Sequence, residues 1–404
     1  MPGSLQVVPF TRLALVISAG FFSTVLAEPL VLDLSFRNLL KNDLQISPQE
    51  MALFFAIGGF PWYFKALIGL LSDTVPILGD RRRPYLIFSA LLASAAWITV
   101  GLVPRFYSEL LLGIVAVNVM LVFGSTVVGG LLVDIGHRYH VTARLVSIRV
   151  FVESFCTLIG GPLAGTLANF SIGVTAATGA AIALLPAPVT FFLLAERTST
   201  EISSGASAKA QLRALLRSRS LWAAVCFLFF VSIPQEFQTP LFYHQSDVLS
   251  FPLEVIGYLR IASGTTSLLA AVVYGFVSQK LSLFHLLILG VSCAVAGALT
   301  YPFYYSLPMA IIVESFHGFL YTLATLVLME VAVYATPKDS EATGFAILMG
   351  VWNAGDAIGD LIGATLVQQW HASFSGLALI YAASLVPAAV FTYPLLARSV
   401  LSRP

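Results

Sequence analysis

At 404 residues the chain is long enough for two or three soluble domains, but 58% apolar residues, 10% charged residues and a mean hydropathy of +0.90 exclude that and specify a polytopic membrane protein. A net charge of +1 leaves no basic surplus with which to track phosphates, so nucleic-acid binding is excluded. Cys156, Cys226 and Cys293 sit singly within apolar segments, without metal-ligand or redox spacing, and read as small buried hydrophobes.

A helix needs about 20 apolar residues to cross a bilayer. Twelve segments meet that length, near 11–34, 49–72, 84–104, 108–134, 143–169, 173–195, 219–245, 252–279, 282–302, 306–335, 341–369 and 374–397. The first is too long for a signal peptide and runs on to Glu28 and Asp33, so it is read as a span. Between the second and third lies a tight basic turn with three consecutive arginines, Arg81, Arg82 and Arg83. If the N-terminus is cytoplasmic, fifteen lysines and arginines fall on the cytoplasmic ends and loops, while only Arg37, Lys41 and Arg105 fall in the outer loops. That bias predicts both termini inside.

The longest connection, 197–218, holds Ser203-Ser204-Gly205-Ala206-Ser207 and then a basic stretch. It divides the chain into an N-terminal half, 1–196, and a C-terminal half, 219–404, each with six expected spans. The halves echo each other: Pro48 and Glu50 open span 2 as Pro252 and Glu254 open span 8, and Gly69 and Ser72 end the one as Gly275 and Ser278 end the other. Gly160, Thr166 and Leu167 match Gly359, Thr365 and Leu366, each pair 199 residues apart. A duplicated six-helix unit explains the echo.

Ten ionisable residues lie well inside the expected spans: Glu28, Lys65, Arg149, Glu153, Glu236, Arg260, Glu314, Glu330, Asp356 and Asp360. Facing lipid, each would cost about 2.5–3.5 kcal/mol, and together they would exceed the about 5–15 kcal/mol by which folds are stable. Most must therefore face a polar interior. Spans 3, 6, 9 and 12 carry no acid or base inside, as a water-filled cavity flanked by outer scaffold helices requires. There is no Gly-x-Ser-x-Gly, no HExxH and no phosphate loop, so no enzyme, metal or cofactor chemistry is expected.

The twelve spans, the two halves and the apolar every-third helix resemble the major facilitator superfamily. Pro61-Trp62, Lys65, Gly69, Ser72-Asp73, Pro76, Gly79 and Arg81-Arg82-Arg83-Pro84-Tyr85 are similar to the signature hairpin of the folate-biopterin transporter family. Leu44 to Gln49 and Leu241 to Gly257 resemble that family's entries into helices 2 and 8. The resemblance implies a secondary transporter for a folate, pterin or related anionic aromatic solute, working by alternating access with protons. It also implies that Asp73 with Arg81, Arg82 and Arg83 latches the cytoplasmic face against the start of helix 11.

The remaining roles are expectations from residue chemistry. Arg149 and Glu153, four apart, share a helix face, and Glu153 lies about 15 Å from the cytoplasmic end. Arg149 could hold a carboxylate through its fork, or the pair could neutralise itself. Asp356 and Asp360 repeat the spacing and, with Glu153 and Glu314, are the candidate proton carriers. Lys65 and Arg260 are further candidate substrate cations, although Lys65 could instead clamp an acid on helix 11. Glu28 before Pro29 and Glu236 after Pro234 stand at similar depths, as substrate groups beside gating bends or beside tolerated kinks. Trp352, one turn before Asp356, is the first choice to stack on a pterin ring, against ordinary packing. His317, three residues from Glu314, could relay a proton or be a satisfied buried histidine. Two rivals stay open: a muropeptide-type permease of the same fold, which would share the basic hairpin, and a non-transporting assembly or pigment-handling factor. The expected setting is a bacterial inner membrane, and the expected partners are the solute, protons and lipid, with the chain acting as a monomer.

Overall fold

The computed structural model describes residues 10–27, 33–75, 77, 80, 82–139, 141–194, 208–235, 237–336 and 341–396. Among these residues the chain is helical, apart from turns and one isolated antiparallel bridge between Ile77 and Asp80 in the basic turn. Among the described residues, ten helical stretches are long and apolar enough to cross a membrane. They are built from α6 (Arg83–Leu102), α7 (Tyr107–Tyr139), α8 (Thr142–Leu167), α9 with α10 (Ile172–Leu184 and Pro186–Leu193), α12 with α13 (Arg219–Ser232 and Gln238–Tyr243), α14 (Leu253–Val277), α15 (Leu283–Ala298), α16 (Leu307–Ala335), α17 (Glu341–Trp370) and α18 (Phe374–Leu396). A shorter helix, α11 (Ala208–Arg217), lies in the connection before α12.

Among the described residues, the first two expected spans each hold more than one helix. One comprises α1 (Phe10–Leu26) and α2 (Asp33–Asn38); the other comprises α3 (Pro48–Gly58), α4 (Phe60–Tyr63) and α5 (Lys65–Thr74). The start of α3 is fixed by Pro48 at its first position and by a capping box, in which the Ser47 side chain accepts from the Glu50 backbone N–H and Glu50 reaches back to the Ser47 N–H. Pro61 cannot donate a backbone hydrogen bond and forces a restart just beyond Gly59. Pro186 separates α9 from α10, and Pro234 breaks the helix between α12 and α13 in the same way.

The structure corrects one boundary. The sequence ends the first span near 34 and leaves Arg37 and Lys41 in an outer loop. Instead α2 begins at Asp33 and passes into a π-helical turn, Leu39–Asp43, with Arg37 only 5% exposed. The reason is local and tertiary at once: Asp33 and Arg37 pair at i,i+4, and Arg37 finds further partners on other segments, so its charge is compensated where it is buried. A second π-helical turn, His244–Val248, follows α13. Each turn is followed by a residue with positive φ, Gln45 at 53° and Ser250 at 54°, before the chain enters α3 and α14 respectively.

Apolar cores lie mainly within, rather than between, the two parts of the chain on either side of α11. One gathers Phe227, Leu228, Leu348, Trp352 and Leu385; another gathers Ile17, Phe21, Leu86, Val128 and Leu131. A third, around Phe36, Phe54, Trp97 and Val117, takes in Phe242 and Ile256 from the later part. Glycine permits the closest approaches across the division. A Cβ on Gly165 of α8 would stand 2.8 Å from the Leu253 carbonyl oxygen and 3.0 Å from Glu254 Cα of α14, so any side chain there would force the helices apart. Gly350 of α17 is packed as tightly against the Tyr63 carbonyl.

Candidate functional site

Two polar constellations occupy the helix interior. The first is built by α5, α7 and α8. The break at Phe64 starts a new helix at Lys65, whose Nζ donates to Ser125 Oγ on α7 at 2.9 Å and lies 5.4 Å from the Trp62 ring. Arg149 Nε donates to Glu153 Oε1 at 2.8 Å, and the guanidinium sits over Phe21 of α1 at 4.7 Å. The pair Arg149–Glu153 on α8 and the Lys65–Ser125 bond between α5 and α7 are the polar contacts of this constellation. With side chains 43% and 34% exposed, Arg149 and Glu153 are open to a solute rather than sealed against each other. Trp62 is itself held, its Nε1 donating to Asn118 Oδ1 at 2.7 Å.

The second constellation was largely missed in the sequence. Arg37 Nε donates to Asp33 Oδ1 at 2.5 Å, while Arg260 of α14 donates to the other oxygen of the same carboxylate. Arg37 Nη1 donates to Thr239 Oγ1 at 2.8 Å, and Thr239 in turn donates its hydroxyl (2.6 Å) and its backbone N–H (2.7 Å) to Asp360 of α17. Arg37 also lies over the Phe55 ring at 4.5 Å. Two acids and two bases from α2, α14 and α17 thus form one balanced network through Thr239 of α13. Of these residues the sequence singled out Arg260 and Asp360. Asp33 and Arg37 could have been found from their i,i+4 spacing, the same signal that marks Arg149 and Glu153; Ser125 and Thr239 carried none.

Glu314 is buried on α16 and accepts from the Tyr304 hydroxyl at 3.2 Å, whose oxygen accepts from Gln245 Nε2 at 2.6 Å. His317 packs between Tyr301 and Tyr321 rather than on Glu314. Asp360 is engaged by the hydroxyl and backbone N–H of Thr239. Trp352, the expected stacking residue, is 6% exposed inside the apolar core of α12, α17 and α18. Lys65 is bonded to Ser125 of α7, not to an acid of α17.

In the basic hairpin, Arg82 Nε donates to Asp134 Oδ2 of α7 at 3.1 Å, and Arg83 Nη2 donates to the Phe191 carbonyl of α10 at 2.9 Å. These bonds stay within the earlier part of the chain; the expected contact with the start of helix 11 is not among them. The side chain of Asp73, together with Arg81, Glu28 and Glu236, lies outside the described residues, as do residues 337–340. Among the described residues, no three His, Cys, Asp or Glu side chains converge as metal ligands would.

With this geometry in place, the comparisons with known proteins are decisive. The model of the BT1 family matches residues 29–397, nearly the whole chain. The chain belongs to the BT1 family, the folate-biopterin transporters. It is similar to the folate-biopterin transporter of Synechocystis, with 26% identity over 84% of this chain and 73% of that one. In structure it is similar to the nucleoside transporter NupG, at TM-score 0.72 and 11% identity over 95% and 98% of the two chains. It is similar also to a D-xylose-proton symporter, at TM-score 0.73 and 14% identity over 98% and 99%. The fold is thus all-α, polytopic and of the major facilitator type, and this BT1 protein is a secondary, alternating-access membrane transporter for a small solute.

Proposed function

We propose that this BT1 protein carries a folate, pterin or related anionic aromatic solute, driven by protons, and that Lys65 and Arg149 hold the solute's negative charge. The observation that carries this reading is the partly open Arg149–Glu153 pair: Arg149 offers further donors beyond its bond to Glu153. A carboxylate tail would compete with Glu153 for the guanidinium, and protonation of Glu153 would ease the exchange. The Synechocystis relative, a folate-biopterin transporter by name, supports the solute class. Glu153, Asp356, Asp360 and Glu314 remain the candidate proton carriers; Asp73 and Arg81 to Arg83 remain candidate gating residues.

We read the architecture as twelve spans in two related halves, 1–196 and 219–404, joined by 197–218 and working as a monomer. Supporting this, the π-helical turns with their positive-φ residues recur 205 positions apart, at Gln45 and Ser250. Orientation follows the charge bias, which puts both termini in the cytoplasm, most simply of a bacterial inner membrane. The end holding Lys41, Arg105 and the two π turns is then the outer end.

Melting of the purified transporter with added folates, pterins and muropeptides tests the assignment. Stabilisation by folates or pterins, weakened in Arg149→Gln, is expected. Stabilisation by muropeptides alone would overturn it.

A further inference from the structure

The earlier and later parts of the chain share one apolar core, through Phe242 and Ile256, and are tied besides by polar bonds. Within them the cores are apolar. Between them, at the end of the bundle that holds the two π turns, the bonds are polar. Lys41 Nζ donates to Ser246 Oγ at 2.7 Å and pairs with Asp247. The Gln49 backbone N–H donates to Gln368 Oε1 at 2.9 Å, and Gln369 Nε2 donates to Gln49 Oε1 at 2.9 Å. Tyr243 donates to the Ile46 carbonyl at 2.6 Å, and Asn169 Nδ2 donates to Glu254 Oε1 at 2.6 Å. Most of these groups are partly or fully exposed, and water can replace each bond at small net cost. The glycine crossing of α8 and α14 lies at the same end.

Beneath this rim stands a largely buried set of charges that spans the division. Asp33, 13% exposed at its side chain, holds Arg37 on its own helix and Arg260 on α14 with its two oxygens. Such a pair has a particular energetic character: a guanidinium or carboxylate stripped of its partner is costly in a dry interior but cheap once water enters. The contact therefore favours two discrete states, closed and dry or open and hydrated, with little in between.

We propose that Asp33, Arg37 and Arg260 form the gate at this end of the transport pathway, with Thr239 and Asp360 as positioning residues for Arg37. Asp33 is the centre of the gate, because it alone bonds both arginines. In this structure the gate is shut. Opening requires the Asp33–Arg260 bond and the Arg37–Thr239 bond to part together, since both cross the division. Arg260, expected from sequence to bind substrate, acts here by holding the closed state.

Spin labels at Asn42 and Val248 report the opening directly, because both residues are exposed on the facing π turns. The labels are placed on the full chain with Cys156, Cys226 and Cys293 replaced by alanine, in lipid and without solute. Arg260→Gln is expected to raise the long-distance fraction at least threefold over the parent, with Arg260→Lys falling between them. Asp33→Asn, the second variant, is expected to do the same or more. A distance distribution unchanged in both variants, even with a lowered melting temperature, would overturn the proposal and leave the network a structural brace. The proposal rests on the transporter reading, but the distances need no solute, so its failure is separate from any failure of the solute assignment.

Discussion

Thr239→Val is the sharpest single perturbation of the interior network. Valine keeps the shape and removes only the hydroxyl, which accepts from Arg37 at 2.8 Å and donates to Asp360 at 2.6 Å. A hydrogen bond to a charged group contributes about 1.5–3 kcal/mol, and two are lost. Asp360 keeps the Thr239 backbone N–H, and Arg37 keeps Asp33, so the lower end applies and the cost is about 3 kcal/mol. That is a large part of the about 5–15 kcal/mol by which folds are stable. Melting in detergent, followed by intrinsic fluorescence, should fall by about 5 °C in Thr239→Val, while Thr239→Ser, which keeps the hydroxyl, should stay near the parent. Equal melting of Val and parent proteins would show that the hydroxyl joins nothing, and the bridge from α2 to α17 would have to be abandoned.

Three further outcomes follow from the geometry. Gly165→Val drives a side chain into the Leu253 carbonyl and Glu254 Cα, and should destabilise the protein by about 1–3 kcal/mol, read as a loss of monodisperse protein on size exclusion. Lys65→Ala and Arg149→Gln should each weaken apparent solute affinity about tenfold or more, because a charge-assisted hydrogen bond is worth about 1.5–3 kcal/mol. Trp352→Phe, buried in an apolar core, should leave solute affinity unchanged, and a tenfold loss there would restore Trp352 to the binding site.

The helices were legible because a bilayer demands length and apolarity, and both are written locally in the chain. The Arg149–Glu153 pair was legible for the same reason, being set by a four-residue spacing on one helix. Arg37 was misread because a charge just past an apolar run looks like the start of a loop; its partner Thr239 is 202 positions away, and only the fold brings the two together. Asp360 was recognised as an interior acid, but its partner Thr239 is 121 positions distant and is likewise brought to it by the fold alone. Trp352 shows the opposite error. Trp352 shares a helix face with Asp356 by its spacing, yet its ring is buried in an apolar core that the tertiary fold assembles from many helices. The basic hairpin served well as a family signature because its sequence is local, whereas the partners of Arg82 and Arg83 lie on α7 and α10 and could not be read from it.

Uptake by proteoliposomes bearing an imposed pH gradient tests the central claim most directly. With labelled folate or a pterin, the parent protein should accumulate solute only while the gradient stands, and Arg149→Gln should reduce the initial rate about tenfold at low solute. Absence of gradient-driven uptake for every folate and pterin tried, with the protein folded and inserted, would contradict the assignment of both the solute and its driving ion.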